Sequence, residues 1–170
     1  MTEIMDRDAA LAALAAQHAG NGVLAGSGDA CCHLMTTQVY YEDTDFSGVV
    51  YHANYLKFAE RGRSNFLRLA GIEHAHLLTL EPPLAFVVGQ MSMQFLVPAK
   101  IDDVLLVETV FTRVQGARIL AEQRISRDGE PLWQAKVTAA MVDLEGRPKR
   151  LPKAMAEALQ AFVGAPFLTA

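Results

Sequence analysis

The sequence predicts an α+β domain in which one long helix packs on an antiparallel sheet. Three observations carry that prediction. The first is an extended helical pattern, roughly Ala53 to Ala70. Its residues Tyr55, Ala59, Gly62, Phe66 and Leu69 follow the i, i+4, i+7, i+11, i+14 spacing of one buried face. The second is a series of four strand patterns after Pro82-Pro83, joined mostly by hairpin turns. The third is a single alternating strand pattern ahead of the helix. One helix laid against such a sheet is a two-layer α+β arrangement.

Taken in order, residues 1–32 read as an N-terminal extension and residues 33–170 as the domain itself. Asp8 to Ala16 is rich in alanine and favours a helix, but its apolar face is narrow. Gly20-Asn21-Gly22 and Gly26-Ser27-Gly28 break regular structure. The extension is therefore expected to be a short helix followed by a flexible linker. The first strand runs from about Leu34 to Tyr41. In the long helix, Lys57, Arg61, Arg63, Ser64 and Arg68 lie mostly off the buried face. Gly62 lies on it, at a cost of about 1 kcal/mol relative to alanine, which points to a close approach between helix and sheet. Gly71 suits the end of this helix.

Glu81-Pro82-Pro83 is a loop. Leu84 to Val97 is the next strand, with Met91, Met93, Phe95 and Val97 alternating against Ser92, Gln94 and Leu96, and Pro98 ends it. Val104 to Val114, Arg118 to Ser126 and Leu132 to Asp143 follow. Their hairpin turns fall at Gln115-Gly116-Ala117 and Arg127-Asp128-Gly129-Glu130. Pro152 opens a short C-terminal helix.

Composition narrows the function classes. The chain has 170 residues, 51% of them hydrophobic, enough for one domain with a real core. The formal net charge of −4 argues against nucleic acid as a partner. No apolar run reaches the ~18 residues of a membrane span. Asp6 and Asp8 ahead of the first apolar segment argue against a secretory leader. Cys31 and Cys32 are adjacent and cannot form a disulfide framework, so a reducing, cytoplasmic compartment is expected.

Only the stretch from Tyr40 to Tyr55 combines acids, a histidine, a glycine turn and a helix start. Asp43-Thr44-Asp45-Phe46-Ser47-Gly48 spells the opening of a calcium loop. The twelfth position of that loop is Asn54, where a bidentate Glu is required, and the upstream segment reads as a strand. No metal site is expected here. Glu42 and Asp43 read as solvated turn residues. Asp45 shares its loop with Phe46, Val49, Val50 and Tyr51, so its carboxylate is expected among apolar groups, near backbone donors, as a base or a nucleophile. Gly48 permits a sharp turn and leaves space for a ligand. The backbone N–H of His52, at the helix start, is a candidate oxyanion donor. His74 and His76 have metal-like spacing but no supporting Cys or acidic cluster, and read as loop residues. No nucleophile elbow, phosphate loop or dinucleotide fingerprint is present.

The stretch Val39-Tyr40-Tyr41-Glu42-Asp43-Thr44-Asp45-Phe46-Ser47-Gly48-Val49-Val50-Tyr51-His52-Ala53-Asn54-Tyr55 resembles the signature of hot-dog-fold acyl-CoA thioesterases. The nearest likeness is to the YbgC-like, Tol–Pal-associated group of the 4-hydroxybenzoyl-CoA thioesterase family. Phe86-Val87-Val88, the run Val97 to Asp103, and Arg150-Leu151-Pro152 agree with that group. Gly89 departs from it, standing where a basic or bulkier residue is expected.

The resemblance implies a central helix wrapped by a curved antiparallel sheet, and a homodimer or homotetramer with the site at the dimer interface. It implies an acyl-CoA substrate, no cofactor, and an association with the Tol–Pal envelope machinery. It places Asp45 as catalytic acid, the His52 N–H on the thioester carbonyl, and Tyr41 within the site. Gly48, Val49 and Tyr51 would line the substrate. Arg118 would meet the coenzyme A phosphates, with Arg113 and Lys100 as weaker candidates. A non-catalytic module binding acyl-CoA or an envelope protein is the alternative.

Overall fold

The computed structural model describes residues 4–16 and 21–168. Its elements are β1 (Ile4–Met5), α1 (Arg7–Ala15), β2 (Gly22–Ala25), β3 (Cys32–Gln38), α2 (His52–Leu69), α3 (His74–Leu77), β4 (Leu84–Phe95), β5 (Val104–Gln115), β6 (Arg118–Arg127), β7 (Glu130–Asp143) and α4 (Lys153–Gln160). The strands form one sheet in the order β1-β2-β3-β5-β6-β7-β4. Only β1 and β2 are parallel; every other neighbouring pair is antiparallel. No described helix is long and apolar enough to cross a membrane.

Helix α2 buries Tyr55, Phe58, Ala59, Gly62, Phe66 and Leu67 against this sheet, close to the face its spacing predicts. Leu69 is only partly buried. The close approach expected at Gly62 is present: a Cβ there would lie 2.9 Å from Val107 Cγ1. Phe66 is the hub of the core. Its ring stacks on Phe111 with centroids 4.1 Å apart, and also meets His33 and Phe162.

Strand β4 carries a bulge that decides what faces α2. Val88 pairs with Ala139, Gly89 is passed over, and Met91, Met93 and Phe95 then pair with Val137, Ala135 and Trp133. An unbroken strand would put Gln90, Ser92 and Gln94 on the same side as Val88. One extra residue shifts that parity and turns Met91, Met93 and Phe95 toward the helix instead. The departure noted at Gly89 is thus a register device.

The expected linker is not one over residues 22–25, which form strand β2 along the edge of β3. The glycine at 22 serves close packing there. A Cβ on it would lie 2.2 Å from both His33 Nε2 and Asn65 Oδ1. The helix expected in the extension is α1, capped by the Asp6 carboxylate, which accepts from the backbone of Asp8 and Ala9. It buries Ala10 and Leu14 with Val23, Ala25, Cys32, Leu34 and Val110, a second apolar cluster apart from the main core. Arg7 and Arg124 both donate to the buried Glu108 carboxylate, Arg124 at 2.7 Å. The rest of the expected extension, residues 1–3 and 17–20 with Gly20 among them, lies outside the described residues.

Beneath Gly22, His33 Nε2 donates to Asn65 Oδ1 at 2.8 Å, and His33 Nδ1 has no partner among the described residues. Burial holds the ring neutral, with its pKa lowered to about 4 despite the opposing bond from Asn65. The unfolded chain binds this proton near pH 6.5 and the folded chain does not, so folding stability falls as pH drops from 6.5 to 4. The loss reaches about 3 kcal/mol by the lower limit. Urea unfolding of wild type and His33→Gln across that range checks it. A His33→Gln stability profile as steep as wild type would contradict this account.

Candidate active site

The loop from Tyr40 to Tyr51 is held at both ends by the side chains of Asp43 and Asn54. Asp43 Oδ2 accepts from the Tyr40 N–H at 2.9 Å. The Asp43 carbonyl accepts from the Tyr51 N–H and from Asn54 Nδ2, each at 2.9 Å. Both side chains are buried. This corrects the reading of Asp43 as a solvated turn residue: it is the anchor that seats the loop on the first turn of α2. The Val50 N–H donates to the Ala99 carbonyl, and the Ala99 N–H donates to the Tyr55 hydroxyl at 2.8 Å, which fixes the far side of the loop.

Between these anchors the chain turns tightly. The Gly48 N–H donates to the Asp45 carbonyl and the Asp45 N–H to the Val49 carbonyl, each at 3.0 Å. Gly48 has φ +78°, a left-handed conformation that glycine adopts without strain, and the space a Cβ would take is open. Val49 bridges to Lys100.

Asp45 projects from this turn and is exposed. Its Oδ1 accepts from the Ser47 backbone N–H at 2.8 Å and from the Ser47 hydroxyl. Oδ2 has no hydrogen-bond partner among the described residues. The Ser47 bonds, hydroxyl first, hold the carboxyl below the ordinary Asp value, and the charge of nearby His52 adds to this. The expectation of an apolar enclosure is not met within one chain. Phe46 is fully exposed and Tyr51 is also exposed, because the turn points its side chains away from the sheet.

His52 is the first residue of α2, and Tyr51 caps the helix with no side-chain hydrogen bond. The Asn54 N–H is taken by the Tyr51 carbonyl at 2.8 Å, which leaves the His52 and Ala53 amides for a ligand, at the end of the helix that favours negative charge. The His52 ring packs on Tyr51 with centroids 4.3 Å apart and meets the edge of Phe95 at 6.5 Å. Phe95 in turn meets Tyr55.

The structure thus brings Asp45, Gly48, Val49, Tyr51 and His52 together, holds Tyr41 in the same loop, and leaves Arg118 apart. Tyr41 sits in a single helical turn, 83% exposed, with no contact to the Tyr51 or His52 rings. Arg118 pairs with Ala140, whereas the sheet meets His52 at the Phe95–Trp133 rank. Strand β7 from Trp133 to Ala140 spans about 23 Å at ~3.3 Å per residue. Arg118 therefore lies at the opposite end of its own chain. His74 and His76, expected in a loop, lie on the short helix α3, where His74 Nε2 is 3.3 Å from the Ser64 hydroxyl.

Ser47, Asn54 and Phe95 were not singled out by the sequence. Ser47 carried a usable signal, a hydroxyl two residues after an acid in a turn. Asn54 and Phe95 act through contacts between distant elements.

A long helix on a curved, mostly antiparallel sheet, with an acid loop seated at the helix N-terminus, defines the hot-dog thioesterase class. The comparisons agree. A family model described as "Thioesterase-like superfamily" matches residues 39–159. The chain is 49% identical over 117 residues to the acyl-CoA thioesterase YbgC of Haemophilus influenzae, covering 68% of this chain and 85% of that protein. It is 39% identical over 120 residues to the acyl-CoA thioester hydrolase YbgC of Escherichia coli O6:H1, covering 69% and 88%. A crystal structure of a probable thioesterase from Bartonella henselae superposes with TM-score 0.69 at 48% identity, covering 71% of this chain and 99% of that one. The chain belongs to the thioesterase-like superfamily, with the YbgC thioesterases among its relatives.

Proposed function

We propose that the protein hydrolyses acyl-CoA thioesters to a free acid and coenzyme A. The observation that carries this is Asp45, ionised and with one carboxylate oxygen unengaged, in a rigid turn seated against the uncapped N-terminus of α2. The thioester carbonyl lies over the first turn of α2, where the His52 N–H stabilises the oxyanion; one such donor is typically worth roughly 3 kcal/mol. Asp45 either attacks the carbonyl, forming a mixed anhydride that water then hydrolyses, or draws a proton from the water that attacks it; in both routes the carbonyl–sulfur bond breaks and the coenzyme A thiolate leaves. Label found in the enzyme after single turnover in isotopically labelled water would mark the first route, because only attack of water on the Asp45 side of the anhydride places it there. Hydrolysis of this kind draws on water alone and needs no cofactor. Thiol release from a panel of acyl-CoA substrates tests the reading. Binding without release from any of them would leave only an acyl-CoA-binding module.

The site needs a second copy of the chain. Strand β4 is an edge strand of 12 residues with Val87, Val88 and Phe95 exposed. Such an edge invites another strand. Two-fold pairing of β4 with its equivalent reverses the sheet ends. It brings the end that carries Arg118 of the partner subunit alongside the Asp45 end of this chain, and it covers the exposed Tyr51 and Phe46. A native mass of twice 18.5 kDa, or a multiple of that dimer, is the expected result. A monomer with full activity would refute the shared site.

The likeness to the YbgC group extends the proposal to a cytoplasmic enzyme that meets the Tol–Pal envelope machinery, which co-purification with its components tests.

A further inference from the structure

A track runs from the proposed site along α2 to an internal cavity. It begins at His52, whose ring meets Phe95. It continues as a groove between one stripe of α2 (Leu56, Glu60, Arg63) and the inward side of β4 (Met93, Met91, Val88). Glu60, Arg63 and Val88 also line the mouth of the cavity, so groove and cavity are continuous. Arg63 is tied back by a 2.6 Å bond to Gln123 Oε1 and forms a wall of this passage.

The cavity is about 110 Å³ and mostly apolar, with Leu67, Phe86, Phe111 and Ile119 as walls and Ser64 and His74 also on its lining. Its floor holds the small side chains of Ala121 and Ala139 beside Val137. An apolar void of about 150 Å³ is known to admit benzene, so this one has room for the end of a hydrocarbon chain. At ~1.5 Å per residue, Arg63 lies about 16 Å along the helix axis from His52. A short acyl group held at His52 does not reach that far; a long unbranched one does. The Gly89 bulge makes the β4 side of the passage apolar, since it places Met91 and Met93 rather than Gln90 and Ser92 along it, opposite the stems of Lys57, Arg61 and Arg63.

We propose that this channel binds the tail of a long, unbranched acyl group whose end fills the cavity over Ala121, Val137 and Ala139. The assignment rests on the thioesterase reading and adds its substrate class. The test is kcat/KM by thiol release on acetyl-, butyryl-, decanoyl- and palmitoyl-CoA, for wild type, Ala121→Leu and Val88→Trp. Wild type is expected to favour the long chains. The palmitoyl-to-butyryl ratio is expected to fall at least tenfold in both variants. Ala121→Leu fills the cavity. Val88→Trp narrows its mouth from a half-exposed position; Val88 also lies on the edge proposed to pair with a second copy, but loss of the dimer would lower both substrates alike and not their ratio, so this variant carries the test if the buried change does not fold. A wild type that prefers butyryl-CoA, or variants that keep the wild-type ratio, would overturn the channel and leave the reaction standing. No release from any substrate would instead defeat the reaction. Palmitate binding by calorimetry, weakened in Val88→Trp, would still uphold the channel in that event, and absence of palmitate binding would remove it.

Discussion

Asp45→Asn is expected to leave the fold intact and to lower kcat for acyl-CoA hydrolysis by about 10²–10⁴-fold, the range for loss of a positioned base. Loss of a nucleophile would lie at or beyond the upper end. The substitution is nearly isosteric. It keeps an oxygen for the Ser47 bonds and sits at an exposed position, where changes typically move stability by no more than about 0.5 kcal/mol. The two readouts therefore separate cleanly: thermal unfolding should match wild type while thiol release collapses. Turnover within a few-fold of wild type would remove Asp45 from the chemistry. Equal losses of stability and activity would recast it as a structural turn acid. The amide keeps the shape of the carboxylate but has neither its negative charge nor a proton-accepting oxygen of comparable basicity, so the experiment isolates the charge.

Phe66→Ala carries the largest expected loss of stability, about 3–5 kcal/mol. That is a large share of the 5–15 kcal/mol that holds a typical domain together. The ring is fully buried and near-parallel to Phe111 at 4.1 Å, and it touches both His33 and Phe162. Its removal opens a void where α2, strands β3 and β5, and the segment after α4 meet. Denaturant unfolding should show a lower midpoint at an unchanged slope. A loss under 1 kcal/mol would mean that the surrounding rings collapse into the space.

Much of the fold was legible because its signals are periodic. The α2 stripe, strand β4 and the three hairpin-linked strands β5, β6 and β7 needed only spacing and turn residues. The extension was misread because its glycines looked like breakers. At Gly22 the missing side chain instead lets β2 lie across the His33–Asn65 pair, a fact about an approach between distant segments. Asp43 was misread for a similar reason. Its burial depends on Asn54, a residue whose only apparent meaning in the sequence was a missing calcium ligand. The grouping of Asp45 with His52 was legible because one turn joins them. The separation of Arg118 was not, because hairpin order says nothing about β4 leaving its neighbour in sequence to form the edge beyond β7.

The bulge at Gly89 also governs which changes of chain length β4 can absorb. Deleting Gly89 would close the bulge and keep Met91, Met93 and Phe95 on the side of Val88. Inserting one further residue there, paired into the ladder, would instead exchange two whole ranks: the methionines would turn outward, and Gln90, Ser92 and Gln94 toward the helix. A deletion of two residues beyond Met91 would shorten the strand and keep its sidedness. Strand β4 therefore behaves like a reading frame with a step of two, and Gly89 is the one point at which that frame is offset.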